Sequence, residues 1–446
     1  MTKRSRILVA NRGEIAVRIV RACHTAGHEA VAVYSDTDKN ARWVRMADEA
    51  LHIGGSPAAK SYLNTDSILE AAKYAEVDAV HPGYGFLSEN AAFARAVTTA
   101  GFTFIGPPPE VIELMGDKAS ARSAATAAGV PVVPGSRPVT DTDDAVRVAE
   151  EIGYPILVKA AAGGGGRGIR PVRDATQLTE VFAGARAEAQ SAFGDGTAYL
   201  ERALPRARHV EVQLLADHHG NLVHLFERDC SVQRRRQKLL EEAPAPDLDE
   251  HTRNELGEAA KRLGEHVGYR NAGTVEFLVD PDGRFYFIEM NTRVQVEHPI
   301  TEAITGVDLV AEQLRIADGA SLSLTQDAAR HSGAAVELRI NAEDPDNDFL
   351  PTPGEITSFE APGGPGVRLD TALTRGEQIS PFYDSLIAKL VCWGADRRQA
   401  YARARQALSE FRVEGVANTI PLHRELIDDR ELSEGPVHTT WLEERT

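Results

Sequence analysis

The segment EMNTRVQVEHPITE, residues 289–302, places Glu289, Asn291, Arg293, Gln295 and Glu297 at every second position. In an extended chain these side chains share one face. Two carboxylates, two amides and a guanidinium in line suit a cation at one end and a small anion at the other. Just upstream, TVEFLVDPDGRFYFIEMN reads as a hairpin with PDG as its turn. A turn centred on Pro281 and Asp282 sets Glu276 opposite Phe287 and Glu289 opposite Thr274. Glu276 and Glu289 then lie diagonally on one face, about 7 Å apart at Cβ. Carboxylates that close repel each other unless something positive sits between them. With Asn291 they make an oxygen-rich set of the kind that holds magnesium, with ATP phosphates filling the remaining positions. Further along, Arg293 and Gln295 offer donors to an anion and Glu297 can accept its proton. The expectation is an extended chain as far as Glu297, although a loop would deliver the same residues less regularly. A solvated polar face is the plainer alternative; Phe277, Phe285 and Phe287 argue for a buried sheet instead.

A second feature is AAGGGGRG, where Gly163, Gly164, Gly165, Gly166 and Gly168 fall between two strand-like segments, YPILVKA and IRPV. No GK[ST] follows, which excludes a Walker loop. A glycine-rich hairpin still lets backbone N–H groups approach phosphates closely. By itself the run fits an ordinary connecting loop equally well; Lys159, closing the apolar strand beside it, makes a polyphosphate flap the sharper reading.

These groups need elements to hold them. Residues 6–106 alternate between strands and helices, which implies a parallel, right-handed sheet. In the first helix Ile15, Ile19 and Cys23 share a face, with Arg18 and Arg21 on the polar side. The helix near SEN is expected to be capped by Ser88. The first turn, ANRGEIA, has one glycine and lacks the GxGxxG approach to a pyrophosphate, so a dinucleotide site is rejected and Asp36 is read as a surface residue. HPGYGFLSEN is a glycine-containing loop at a strand's carboxyl end, where open α/β sheets place ligands, though a plain connection fits too. From residue 131 the pattern turns to hairpins, with helices expected at 177–190, 249–267 and 397–411.

Composition bounds the function. With 446 residues, 42% hydrophobic and 26% charged, the chain is long enough for two or three globular domains. A formal charge of −17 argues against non-specific nucleic-acid binding but not against a locally positive nucleotide pocket. No apolar run approaches the ~18 residues a membrane helix needs. Cys23, Cys230 and Cys392 are widely spaced, which predicts inert buried thiols and a reducing cytoplasm as the natural compartment.

Together, EMNTRVQVEHPITE, ERDCSVQRRRQK, GDKASA, HPGYGFLSEN and INAEDP resemble the biotin carboxylases of the ATP-grasp superfamily, collinearly over essentially the whole chain. The resemblance implies an α/β and α+β fold. A Rossmann-like parallel-sheet domain would span 1–115, an ATP-grasp domain 116–332 with a mobile lid at about 132–204, and a mixed α+β domain 333–446. It implies that Lys118 and Lys159 contact ATP, with Glu201 and Leu204 at the adenine and His209 and Gln233 near the ribose. Gly164, Gly165 and Gly166 would form the phosphate flap. Glu276 and Glu289, supported by Asn291, would hold magnesium or manganese. Lys238, Arg293, Gln295 and the backbone of Val296 would bind bicarbonate. Glu297 would be the general base, Arg339 would stabilise the biotin enolate and Tyr84 would sit near the biotin ring. Two positions depart from the pattern. Ala162 stands where a fifth glycine is usual, and Arg236 where histidine or asparagine usually approaches the nucleotide. Arg18 and Arg21 match positions that face the partner in dimeric members, though surface arginines on an amphipathic helix explain them more simply.

The implied reaction is ATP- and bicarbonate-dependent carboxylation of biotin through carboxyphosphate, the first half-reaction of an acetyl-CoA or other acyl-CoA carboxylase. No Met-Lys dipeptide occurs, so biotin is expected on a separate carrier protein or on a further portion of a longer chain. The expected partners are that biotin carboxyl carrier, a carboxyltransferase and a second copy of the chain. The alternatives are another ATP-grasp carboxylate–amine ligase and a non-catalytic subunit on the same fold.

Overall fold

A computed structural model of the chain describes residues 5–160, 169–193 and 196–445. The glycine run and Ala162 lie outside these residues, and the phosphate-flap expectation lies outside them too. The N-terminal strands β1 (Arg6–Val9), β2 (Glu29–Ser35), β3 (Glu49–Gly54), β4 (Ala79–His81) and β5 (Thr103–Phe104) form a parallel sheet in the order β3-β2-β1-β4-β5. Helix α1 (Gly13–Ala26) packs Ile15, Ile19 and Cys23 into the core below it. Its polar side is not wholly solvated. Arg18 is buried, donating to Glu302 at 2.8 Å and pairing with Asp308, because α1 also packs against the helix Leu309–Ala317. Only Arg21 keeps the exposed position expected of both. The helix Ala91–Thr99 is capped by Asn90, whose side chain accepts from the Phe93 N–H, and Ser88 is buried in the preceding turn. Asp36 is exposed and hydrogen-bonded to His52 at 2.7 Å, as a surface residue should be.

Strands β6 (Ile156–Ala160), β7 (Ile169–Val172) and β8 (Ala198–Arg202) form a small sheet in the order β7-β6-β8. It is covered by the helices Thr142–Ile152 and Ala175–Phe193 around Ile156, Val158, Phe182 and Leu200. Next comes an antiparallel sheet of eight strands. Its first six in sequence are β9 (Arg208–Ala216), β10 (Leu222–Arg234), β11 (Gln237–Ala243), β12 (Asn271–Val279), β13 (Phe285–Asn291) and β14 (Ala334–Asn341). They run β13-β12-β9-β10-β11-β14 and continue into Leu386–Gly394 and Val367–Thr371.

Period-two alternation divides the large sheet into two faces. Val210, Val212, Leu214, Val275 and Phe277 pack under the helix Glu250–His266, and Val336, Leu338, Ala388 and Leu390 under Arg397–Glu410. The intervening Glu211, Gln213, Thr274, Glu276, Glu337, Arg339 and Lys389 therefore point to the opposite face. At typical burial values each apolar side chain removed from water contributes about 1.5–3 kcal/mol, enough to fix which set goes where. The three cysteines are free and buried, as expected.

Candidate functional site

The β12–β13 hairpin departs from the register read off its turn. Thr274 pairs with Asn291, Val275 with Met290 and Glu276 with Glu289, but Phe277 pairs with Phe287. The extra residue, Ile288, is a β-bulge that reverses the alternation. Without it Phe287 and Glu289 would share a face. With it, Phe287 enters the core and Glu289 comes directly opposite Glu276 rather than diagonal to it, about 4.5–5.5 Å away at Cβ. The strand stops at Asn291, so extension to Glu297 fails. Residues 292–297 form a loop that ends at the N-cap of the helix His298–Thr305. Glu297 occupies that cap without using its carboxylate as one, which leaves both oxygens to other partners.

Those partners are cations. Lys238 Nζ lies 2.6 Å from Glu297 Oε1, 2.6 Å from Glu211 Oε2 and 3.1 Å from Glu276 Oε1. Arg339 Nη2 is 2.9 Å from Glu297 Oε2. Burial pushes the Glu297 carboxyl up, but Lys238, Arg339 and Arg228 outweigh it and hold the group well below the usual carboxylate range. Burial would likewise discharge Lys238, and the surrounding carboxylates keep it protonated. Arg228 is fully buried and holds Glu211 at 2.6 Å, Gln213 at 2.8 Å and Gln295 at 2.9 Å, fixing the floor of the site.

Glu276 accepts from Asn291 at 2.8 Å and Gln295 at 2.9 Å, and pairs with His209 at 2.9 Å. Burial raises its carboxyl, but Lys238 and His209 bring it well below the ordinary range. Glu289 is exposed at the sheet edge; burial of its carboxyl and the Glu276 charge raise it, with Lys118 opposing. Two groupings offer three donor atoms within 4.8 Å: His209, Glu211 and Glu276, and Glu211, Cys230 and Glu297. In both, the Lys238 ammonium already supplies the positive charge. Glu276 and Glu289 face each other directly across the hairpin, and among the described residues Glu289 has only the more distant Lys118 and His209 charges set against the Glu276 carboxylate. Their hard oxygen donors fit magnesium, with Asn291 orienting Glu276 from behind.

The family models matched along the chain are "Biotin carboxylase, N-terminal domain" at 3–112, "Carbamoyl-phosphate synthase L chain, ATP binding domain" at 117–325 and "Biotin carboxylase C-terminal domain" at 337–444. A biotin carboxylase of a Nostoc species is 51% identical over 443 residues, covering 99% of each chain. Biotin carboxylase 1 of Bacillus subtilis is 50% identical over 440 residues, covering 98% of each chain. The chain belongs to the biotin carboxylase family. Among solved structures of that family, the dimeric biotin carboxylase domain of Hydrogenobacter thermophilus 2-oxoglutarate carboxylase, in complex with MgADP, ADP and bicarbonate, superposes with a TM-score of 0.92. It is 48% identical, covering 99% of this chain and 97% of that one. The Campylobacter jejuni biotin carboxylase, in a β,γ-ATP complex, gives a TM-score of 0.93 at 43% identity, covering 99% of each chain. The enzyme class is accordingly an ATP-dependent ligase, with ATP and magnesium as its requirements.

Of the residues expected at a biotin carboxylase site, the fold brings together Glu276, Glu289, Asn291, His209, Lys238, Gln295, Glu297 and Arg339. Arg293 joins them through Asn291 Oδ1 at 3.1 Å and is anchored to Glu89 at 2.8 Å. Lys118 begins the helix Lys118–Ala127 on the Glu289 side. Lys159 pairs with Glu201 across β6 and β8, and half-buried Leu204 follows in the next loop. Gln233 is buried on β10, opposite Lys238. Arg236 is exposed at the β10–β11 turn in a left-handed backbone conformation. Tyr84 donates its hydroxyl to Glu14 and stands 5.9 Å from Lys389 Nζ across its ring face. The Val296 carbonyl is taken by Lys389 at 2.8 Å, so only its N–H side remains for an anion.

Sequence reasoning missed Glu211, Arg228, Glu241, Glu337, Lys389 and Glu89. For Glu211, Glu337 and Lys389 a signal existed: a charged residue inside an otherwise apolar strand, as in HVEVQLL, AAVELRI and LIAKLVC. An ionisable group with that pattern points to the buried polar face. Glu89 gave no such sign, because only docking of the β4 loop brings it to Arg293.

Proposed function

We propose that this chain carboxylates biotin carried by a biotin carboxyl carrier, with bicarbonate as carbon source and ATP as energy source. The observation that carries the reading is the placement of Glu297 between Lys238 and Arg339, with the same Lys238 ammonium 3.1 Å from Glu276 of the facing pair Glu276 and Glu289. Magnesium held by Glu276 and Glu289 would supply charge neutralisation on the phosphates. Lys118, Lys159 and the glycine run would position the nucleotide, with Glu201 and Leu204 at the adenine and His209 and Gln233 at the ribose.

Bicarbonate would bind among Lys238, Arg293, Gln295 and the Val296 N–H. In the resting site Glu297 is a weak base, because Lys238 and Arg339 both lie on it. An anion that draws Lys238 toward itself returns basicity to Glu297, which takes the bicarbonate proton. The bicarbonate oxygen attacks the γ-phosphorus, releasing ADP and giving carboxyphosphate. Positioning and charge neutralisation provide most of the acceleration in such a transfer. Carboxyphosphate breaks to carbon dioxide and phosphate, and the phosphate takes the ureido N–H proton of biotin. Arg339 then neutralises the enolate oxygen, with Tyr84 beside the ring. The nitrogen attacks carbon dioxide.

The domain division at 115/116 and 332/333 belongs to the same reading, as do a homodimer, a cytoplasmic location and a carboxyltransferase partner. The acceptor we favour is an acyl-CoA such as acetyl-CoA, in fatty acid synthesis. Among the described residues no helix is long and apolar enough to cross a membrane. The test is ADP release from magnesium ATP: dependence on bicarbonate with stimulation by biotin supports the proposal. Release that needs an amine co-substrate and ignores biotin would assign another ATP-grasp ligase. Identification of the co-purifying carboxyltransferase would fix the acceptor.

A further inference from the structure

Behind Arg339 lies a second pair of facing carboxyls that the reaction above does not use. Glu241 on β11 and Glu337 on β14 are direct partners in the antiparallel ladder, which sets their Cβ atoms about 4.5–5.5 Å apart. Both are fully buried. Glu241 Oε1 accepts from Arg339 Nε and Nη2, each at 2.5 Å. Among the described residues neither oxygen of Glu337 has a hydrogen-bond partner, and Glu241 Oε2 has none. Glu337 and Arg339 are two residues apart on one strand and share its face. The cation nearest along the next strand, Lys389, sits across from Arg339 but is committed to Glu14 at 3.0 Å and to the Val296 carbonyl.

Charge balance makes the arrangement specific. Immediately around Arg339, among the described residues, the carboxyls are Glu297, Glu241 and Glu337, and the other cations, Lys238 and Lys389, are already held by Glu211, Glu276 and Glu14. If every carboxyl were ionised, Arg339 would be flanked by Glu297, Glu241 and Glu337, and its charge would be spent on the protein. Two unscreened carboxylates cannot both ionise at this separation in a dry interior. The proton belongs on the member without a donor.

We propose that Glu241 and Glu337 are a positioning pair for Arg339: Glu241, ionised, grips the guanidinium at Nε and Nη2 and aims it at the site, while Glu337 stays protonated and keeps the Arg339 charge available for the biotin oxyanion. This rests on the enolate role given to Arg339 above. Burial drives both carboxyls upward, Glu241 to about 7, so that it is ionised from neutral pH upward, and Glu337 well above the ordinary range. Among the described residues the groups facing Glu337 are Lys389, Glu241, Arg339, Glu297 and the Tyr84 hydroxyl, the carboxylates opposing its ionisation and the cations favouring it. As pH rises Glu337 loses its proton and adds a negative charge behind Arg339. The biotin step then slows, while ADP release driven by bicarbonate alone is affected less.

The test compares Glu337→Gln, Glu337→Met and Glu241→Gln for carboxylation of the carrier's biotin and for bicarbonate-dependent ADP release without biotin, across pH. Glu337→Gln copies the neutral acid, so it should retain near wild-type carboxylation and lose the fall on the alkaline side. Glu337→Met should also work, since the carboxyl has no partner to lose. Glu241→Gln should lower the biotin step about 100-fold through a misaimed guanidinium, with a much smaller effect on biotin-free ADP release. A folded Glu337→Gln or Glu337→Met enzyme that loses carboxylation tenfold or more would overturn the proposal. So would Glu337→Gln with an unchanged alkaline fall, or Glu241→Gln with wild-type carboxylation. Arg339→Ala run alongside separates the two claims: if it too carboxylates normally, the enolate reading fails first.

Discussion

Replacing Arg339 by alanine is the sharpest perturbation of the proposed chemistry. The guanidinium holds Glu297 Oε2 at 2.9 Å and Glu241 Oε1 at 2.5 Å, and its side chain is only 16% exposed. At an effective dielectric of about 20, opposite charges at that distance attract by about 6 kcal/mol before desolvation is counted. Removing one partner of such a buried pair costs about 3–5 kcal/mol, mostly from the carboxylates left behind. Stability must therefore be measured beside activity. The kinetic loss is separate: deleting one preorganised donor to a developing oxyanion lowers the rate about 10²–10³-fold, or about 2.7–4 kcal/mol. Glu297 is moved the other way, since loss of Arg339 removes a charge that holds its carboxyl down. The decisive assay is carboxylation at saturating ATP and bicarbonate in protein shown to be folded by circular dichroism, with ATP binding followed by calorimetry. Arg339 touches none of the groups assigned to the nucleotide, so ATP affinity should stay close to wild type. Carboxylation within a few fold of wild type would refute the oxyanion role and the weight placed on this geometry.

Three further expectations follow from other parts of the site. Glu289→Gln removes half of the proposed metal pair and its repulsion with Glu276, so the variant should need more magnesium for half-maximal activity, and its Tm should no longer rise on adding magnesium ATP; a wild-type magnesium response would remove Glu289 from the metal site. Lys389→Met leaves the buried Glu14 carboxylate with the Tyr84 hydroxyl but without its cation, which should cost about 3–5 kcal/mol in denaturant unfolding, with part recovered in the double variant Lys389→Met, Glu14→Gln; equal instability of both would show that the ion pair is not the cause. Burial holds His224 and His423 down to about 4 and His81 to about 3, against 6.5 when free. Their folded values lie below the unfolded one, so the stability they support is present above pH 6.5 and lost as pH falls toward 4, by up to about 3 kcal/mol for each of the first two. A Tm that stays constant over that interval would contradict this.

The sequence by itself determined the chemistry and the large-scale order of elements. The residue types of the run from Glu289 to Glu297, the parallel N-terminal strands and the later hairpins were legible because they are local properties of the chain, although the alternation read through that run ends at Asn291. What it left undecided depended on residues far apart. The bulge at Ile288 is such a case: strict alternation would put Phe287 and Glu289 on one side, and only packing of Phe277 and Phe287 beneath the helix Glu250–His266 requires the extra residue that turns Glu289 to the site. Arg18 reads as surface because an amphipathic helix hides one face, whereas a second helix, carrying Val310 and Leu314, covers the other. Glu241 and Glu337 are nearly a hundred positions apart, and their meeting needs β11 and β14 to become neighbours. Local pattern sets which side chains can take part; the pairing of distant strands sets which charges must share a proton, because that energy exists only once both are out of water.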